Sequence, residues 1–130
     1  MFVMLLAGAT LVHAADRLSN EEMAKIAKAM PNYRMALKSE NVGVRQSAVY
    51  HLAQLKSRYP GLDLSGFQGE LKKLETRDSN AIVRIHAGLT RLYLTDERLA
   101  KQIKVEDPDS SVAFYNQVHE MLAAISENPQ

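Results

Sequence analysis

Three histidines stand beyond residue 14: His51, His86 and His119. A metal site needs ligands that converge, as two histidines at i, i+4 do on one helix. The chain beyond residue 14 has no HxxxH, HxxE or DxH spacing, so the three read as separate surface or edge residues. Met23, Met30, Met35 and Met121 could offer thioethers to Cu(I), a soft ion. They form no Met-x-Met or Met-x-x-Met cluster, and Met23 and Met30 fall on an apolar stripe where methionine fills gaps. No serine sits in Gly-x-Ser-x-Gly, and Ser65, Ser79 and Ser110 stand where helix caps belong. Gly66 and Gly69 make neither a P-loop nor a dinucleotide fingerprint. The carboxylates do not pair for acid–base work. Glu21 and Glu22 open a helix, and Asp107 and Asp109 bracket a turn. These residues point to no enzyme, no metal and no cofactor.

Composition sets the frame. The 130 residues make one domain's worth of chain, and a net charge of +1 gives no general pull toward nucleic acid or anionic membrane. With no cysteine, disulfides, thiol chemistry, Cys-ligated zinc and haem attachment through cysteine are excluded. The core must hold without staples, which a chain of this length can achieve.

Residues 1–15 stand apart, with no Lys, Arg, Asp or Glu. Phe2–Val12 is apolar except for Gly8 and Thr10, and Val12-His13-Ala14 puts apolar and small residues at −3 and −1 of a cleavage after Ala14. This predicts a signal peptide over residues 1–14, with a single helical domain over 15–130 in the periplasm or secreted. The run is too short for the ~20 residues that span a bilayer, so no stable membrane insertion follows once it leaves. It lacks a positively charged n-region. The other reading is an apolar first helix buried in the domain.

The remainder reads as helix after helix, an all-α fold. Ser19-Asn20-Glu21-Glu22 is a capping box, followed by a stripe of Met23, Ile26, Met30, Tyr33 and Leu37. Pro31 interrupts that stripe and predicts a break, with a second short helix to Lys38. Asn41 caps a helix from Val42 to about Arg58, ended by Tyr59-Pro60-Gly61. Ser65-Gly66-Phe67-Gln68 reads as another capping box, before a helix to about Thr76. Asp78-Ser79-Asn80 starts the next, through Leu94. Thr95 or Asp96 caps a short helix, and Asp107-Pro108 opens the last, to about Ser126.

An internal repeat orders these helices. Residues 41–48 align with residues 80–87 at an offset of 39 without a gap: Asn41 with Asn80, Val44 with Val83, Arg45 with Arg84 and Ala48 with Ala87. A weaker third copy begins at Asp109, where Phe114-Tyr115 replaces Val-Arg. A short helix, an acidic or Asn-containing turn, Val-Arg-x-x-Ala and a Leu-rich helix together resemble the HEAT repeat, in its short phycobilisome-lyase-like variant, over about residues 20–126. The resemblance implies a right-handed stack of about three antiparallel helix pairs, an α-solenoid whose second helices line one side, used for binding rather than catalysis. It also implies that the Arg after Val pairs with an acid in a neighbouring repeat's turn: Arg45 with Asp78, and Arg84 with Asp107 or Asp109. A closed helical bundle of the same helices is the competing architecture.

The acids are missing from 41–62 and from 79–95, while Arg45, Lys56, Arg58, Arg84 and Arg91 lie within them. At ~100° per residue, Val44, Ala48, Leu52 and Leu55 make the buried face of the first long helix. Arg45, Val49 and Lys56 lie beside that face. On the next helix Arg84, Gly88 and Arg91 form the aligned stripe, and Ile82, Ile85, Leu89 and Leu92 cover the far side, making this helix central. Tyr115 and His119 continue the stripe on the last helix. The expectation is a basic ribbon of Arg45, Val49, Lys56, Arg84, Gly88, Arg91, Tyr115 and His119, which binds an acidic segment of another protein, with an anionic cell-envelope polymer as the lesser option. The alternative function is a small periplasmic helical bundle with a structural, chaperone-like or metal-handling role.

Overall fold

The computed structural model describes residues 18–127, all helix and connecting turns, with no strand among them. The expected leader, residues 1–14, lies outside the described residues. Six α-helices follow in order: α1 Asn20–Leu37, α2 Val42–Arg58, α3 Gln68–Arg77, α4 Ala81–Thr95, α5 Glu97–Gln102 and α6 Val112–Glu127. A 3-10 turn, Ser65–Phe67, leads into α3.

Local chemistry sets most of the helix starts. Ser19 Oγ accepts from the Glu22 N–H at 3.1 Å, and a Glu22 carboxylate oxygen accepts from the Ser19 N–H at 3.3 Å, a closed capping box. The Asn41 and Asn80 side chains cap α2 and α4 by the same bond, each accepting from the N–H three residues on. Asp96 caps α5, accepting from Arg98 N–H.

Three expected boundaries are corrected. Pro31 does not break α1, which runs through it. Pro31 and Ala27, the residue whose carbonyl it leaves without a helical donor, are both exposed, so the lost bond is not buried. The stripe of Ile26, Met30 and Tyr33 keeps its register across it. Ser65 does not cap α3. Its own N–H donates to Asp63 Oδ1, and the chain enters the helix through the 3-10 turn. Asp107-Pro108 does not open the last helix either. Asp107 Oδ1 accepts from Asp109 N–H in a turn, and the helix waits until Val112.

The packing has three layers. Helix α1 lies on α2, α3 on α4, and α2 on α4, so the first two pairs sit side by side. One core fills the space between them, built on Leu37, Val49, Leu52, Phe67, Leu71 and Ala87. A second core joins Tyr50 and Ala53 of α2 to Tyr93 of α4, Leu99 of α5 and Phe114, Tyr115 and Val118 of α6. The third pair therefore does not stack on the second pair alone. Helix α6 and the turn before it close over α2 as well as α4: Tyr50 Oη donates to Asp107 O at 2.6 Å, and its ring lies 5.9 Å from those of Phe114 and Tyr115. In a simple stack each repeat touches only its neighbours; this contact skips one.

The repeat is visible in bonds as well as letters. The Arg45 guanidinium donates to Ser39 O, and Arg84, 39 residues on, donates to Asp78 O. Asn41 N–H donates to Ser39 Oγ, and Asn80 N–H donates to Asp78 Oδ1, again at the same offset. Each turn is closed by its own helix's first asparagine and arginine.

Candidate functional site

The central helix α4 carries three of the eight residues of the expected ribbon, and its stripe of Arg84, Gly88 and Arg91 does form along one side. That side faces α3. Arg91 Nε and Nη2 donate to the two Glu75 oxygens at 2.9 and 3.2 Å. Gly88 is the gap beneath this bridge, since a Cβ there would come within 3.1 Å of the Glu75 carboxyl group. Arg45 reaches from α2 to Asp78, with Nε 2.7 Å from Oδ2 and Nη2 3.0 Å from Oδ1. Both side chains of that pair are largely buried, at 12% and 3% exposure.

These contacts set the charges. The hydrogen bond from Arg45 holds the Asp78 carboxyl below the usual carboxylate range, and Arg91 does the same to Glu75. The same bonds raise Arg45 and Arg91. The predicted pairing of Arg45 with Asp78 is therefore present. The pairing of Arg84 with Asp107 or Asp109 is corrected: Arg84 bonds the Asp78 carbonyl instead, because the turn bearing those acids is drawn toward α2 by Tyr50.

The ribbon as a basic surface is corrected too. Val49 is fully buried, and Tyr115 is 3% exposed. Val49 fills the core between α2 and α4, while Val44, expected inside, is 41% exposed. Burial of α2 on three sides, by α1, α4 and α6, moves its apolar arc away from Val44. Tyr115 Oη lies 2.7 Å from Thr90 Oγ1 in the interior, and its ring stacks on His86 at 3.9 Å. Burial pushes the Tyr115 hydroxyl up and the His86 imidazole down from their ordinary values. Lys56 Nζ donates to Pro60 O, in the turn after its own helix, at 2.7 Å. Only His119 of the eight stands exposed without a described bond. Arg45 and Arg84 meet at Asp78, in the turn after α3, and Arg91 bonds Glu75 of α3; Lys56 and His119 stay apart from them.

Two surfaces were missed. The first is the flank of α4 expected to be covered. Ile82 is 51%, Ile85 59% and Leu92 37% exposed, with Leu89 half-buried beside them. This flank is bounded on one side by α3, through Glu75, and on the other by α6, through Tyr115. The apolar spacing was plain in the sequence. What was not plain is that α6 meets α4 on another side, at His86, Thr90 and Tyr93, and leaves this flank bare. The second is a groove along the outer side of α2, between α1 and the turn after α5. Its largest hollow, about 690 Å³, is lined by Tyr33, His51, Leu55, Arg58 and Lys104 among others. No local signal could have found it, because Lys104 is brought to Ser57 from 47 residues away.

Among the described residues no group of three His, Asp or Glu is placed to hold a metal ion, and no helix is long and apolar enough to cross a membrane. His51 stands edge-on to Tyr33, His86 stacks on Tyr115, and His119 lies on the open side of α6. No family model matches the chain, and no curated protein and no solved structure matches it.

Proposed function

We propose that this chain is an exported, non-catalytic helical-repeat module of the HEAT type that binds another protein, and that its docking face is the bare flank of α4. One observation carries the reading. Ile82, Ile85, Leu89 and Leu92 follow the 3-4-3 spacing of a single helical face, on the central helix, and three of the four are well exposed. A stack of three pairs would cover that flank with the next helix.

The occupant is an amphipathic helix of the partner. The flank runs about 15 Å along α4, the length of three helical turns. It carries no charge of its own, and α3 and α6 pack on α4 to either side of it. A helix laid in such a slot is a common recognition mode. The chain already uses it internally, where α2 packs on α4. The repeat in sequence and in turn bonds supports the HEAT reading, and the apolar segment ending at Ala14 supports export.

The test is capture by the wild-type protein and by Ile82→Asp/Ile85→Asp, with folding followed by circular dichroism. Exposed apolar residues contribute within about 0.5 kcal/mol to stability, so the variant should fold. It should lose a partner whose isolated helix competes with the wild-type complex. Equal capture by the variant contradicts the reading, and so does a wild-type dimer that the variant turns into a monomer.

A second reading has its own observation. The core of Tyr50, Tyr93, Phe114 and Tyr115 seals α6 across two other helices, as in a closed bundle. That favours a structural or chaperone-like role.

A further inference from the structure

The groove on the outer side of α2 has a shape and a charge that the α4 flank lacks. Its main hollow adjoins a second of about 460 Å³ through Tyr33 and His51, and a third of about 220 Å³ through His51 and Pro108. Together they follow α2 from Gly43 to Arg58, about 22 Å of helix. That length takes an extended segment of about seven residues. A separate helix finds no matching slot here, since the turn after α5 crowds one wall through Val105 N–H on Ser57 Oγ and Gln54 on Pro108 O.

The chemistry is graded along the groove. At the end nearest Arg58 the hollow has two cations, Arg58 and Lys104, and no carboxylate among its lining residues. Neither cation forms an ion pair among the described residues. This sets them apart from Arg45 and Arg91, whose charges α3 and its turn already neutralise. The Arg58 guanidinium rests over the Tyr59 ring at 5.3 Å, which holds it without consuming its charge. Next come Leu55 and the Tyr33 ring, an apolar floor met edge-on by His51. Farther along, Ser47 and Asn41 supply polar groups for the unpaired backbone of an extended chain, and the groove's one lining carboxylate, Asp109, borders the third hollow and not the one that holds the cations.

We infer that this groove binds an extended acidic segment of a partner protein, its carboxylates on Arg58 and Lys104 and an adjacent apolar or aromatic side chain on Leu55 and Tyr33. The acidic partner segment expected from the sequence finds its cations here, on the outer face of α2, and not on the ribbon. The site lies on the opposite side of α2 from the packing with α4, so it stands or falls independently of the α4 flank.

The experiment is selection of peptides of about seven residues from a random displayed library on the folded protein. Binding of a labelled winner is then measured by fluorescence anisotropy. Asp and Glu should be enriched next to an apolar or aromatic residue. Arg58→Glu/Lys104→Glu should weaken the winner by at least about tenfold, and added salt should weaken it too. Ile85→Asp, on the other face, should leave it unchanged, which separates failure here from failure at α4. Circular dichroism checks that the double variant folds, and Arg58→Gln gives a milder loss in the same direction. A library without acidic enrichment would overturn the proposal. So would winners that bind the double variant equally, or winners displaced by dextran sulfate as readily as by their own unlabelled peptide, which would mark a surface that reads charge alone.

Discussion

The arginines show how much a single residue's neighbours decide. Arg45 and Asp78 could be matched from the sequence because the repeat places one on a helix and the other in the following turn. The repeat does not announce the match of Arg91 with Glu75, because it aligns α4 only with other second helices, and the acid comes from the first helix of its own pair. Val49 was misplaced for a related reason. A helical wheel gives angles between residues, and it does not give how many neighbours a helix has. With α2 wrapped on three sides, the buried arc takes in Val49, Tyr50 and Ala53 as well as Ala48 and Leu52. Thr90 is the sharpest single case, a fully buried hydroxyl in the central helix whose described side-chain partner is Tyr115 Oη at 2.7 Å. Thr90→Val leaves that phenol without a partner in the interior, a loss of about 1–3 kcal/mol. Tyr115→Phe costs less, since a threonine in a helix can bond a carbonyl one turn back. The double variant should be more stable than the sum of the singles by about 1 kcal/mol in urea titrations. Strict additivity would show that the two hydroxyls do not meet.

At the scale of elements, capping chemistry was legible and interruptions were not. Ser19, Asn41 and Asn80 start their helices by local bonds that residue type and spacing announce. Pro31 was read by its local cost alone, and an exposed site with a continuing apolar stripe offsets that cost. The last helix starts late because Asp107 and Ser110 give their carbonyls to Tyr50, a demand from nearly sixty residues away that no local pattern contains. The proline still leaves a trace. Leu37 is the only buried residue of α1, and Met23 is 52% exposed, so the turns before Pro31 are held weakly. Pro31→Ala restores an N–H to the Ala27 carbonyl and removes a ring clash worth about 3 kcal/mol inside a helix. Amides of the first half of α1 should then exchange at least about tenfold more slowly with solvent deuterium, while those of α4 keep their rates. Unchanged exchange before residue 31 would mean that the proline is not the weak point of α1.

For the whole molecule, the sequence carried the all-helical class, the central position of α4 and the two-copy repeat. The placement of the third pair was beyond it. Periodicity states which face of a helix is apolar, and the partner of that face is a matter of topology. Ile82, Ile85, Leu89 and Leu92 form one stripe as expected but are not covered, because α6 meets α4 at His86, Thr90 and Tyr93 instead. The molecule therefore has two separate surfaces, an uncharged apolar flank on α4 and a groove outside α2 with Arg58 and Lys104 at one end. The claim that matters most is the first. A photo-crosslinking residue placed at Ile85 reads it directly, with the same residue at Lys28 on the exposed side of α1 as the control. After irradiation of the folded protein in cells that make it, mass spectrometry should find the Ile85 adduct within an amphipathic helix of one other protein, with no such adduct from Lys28. Adducts only between copies of this chain, or the same adducts from both positions, would contradict the account.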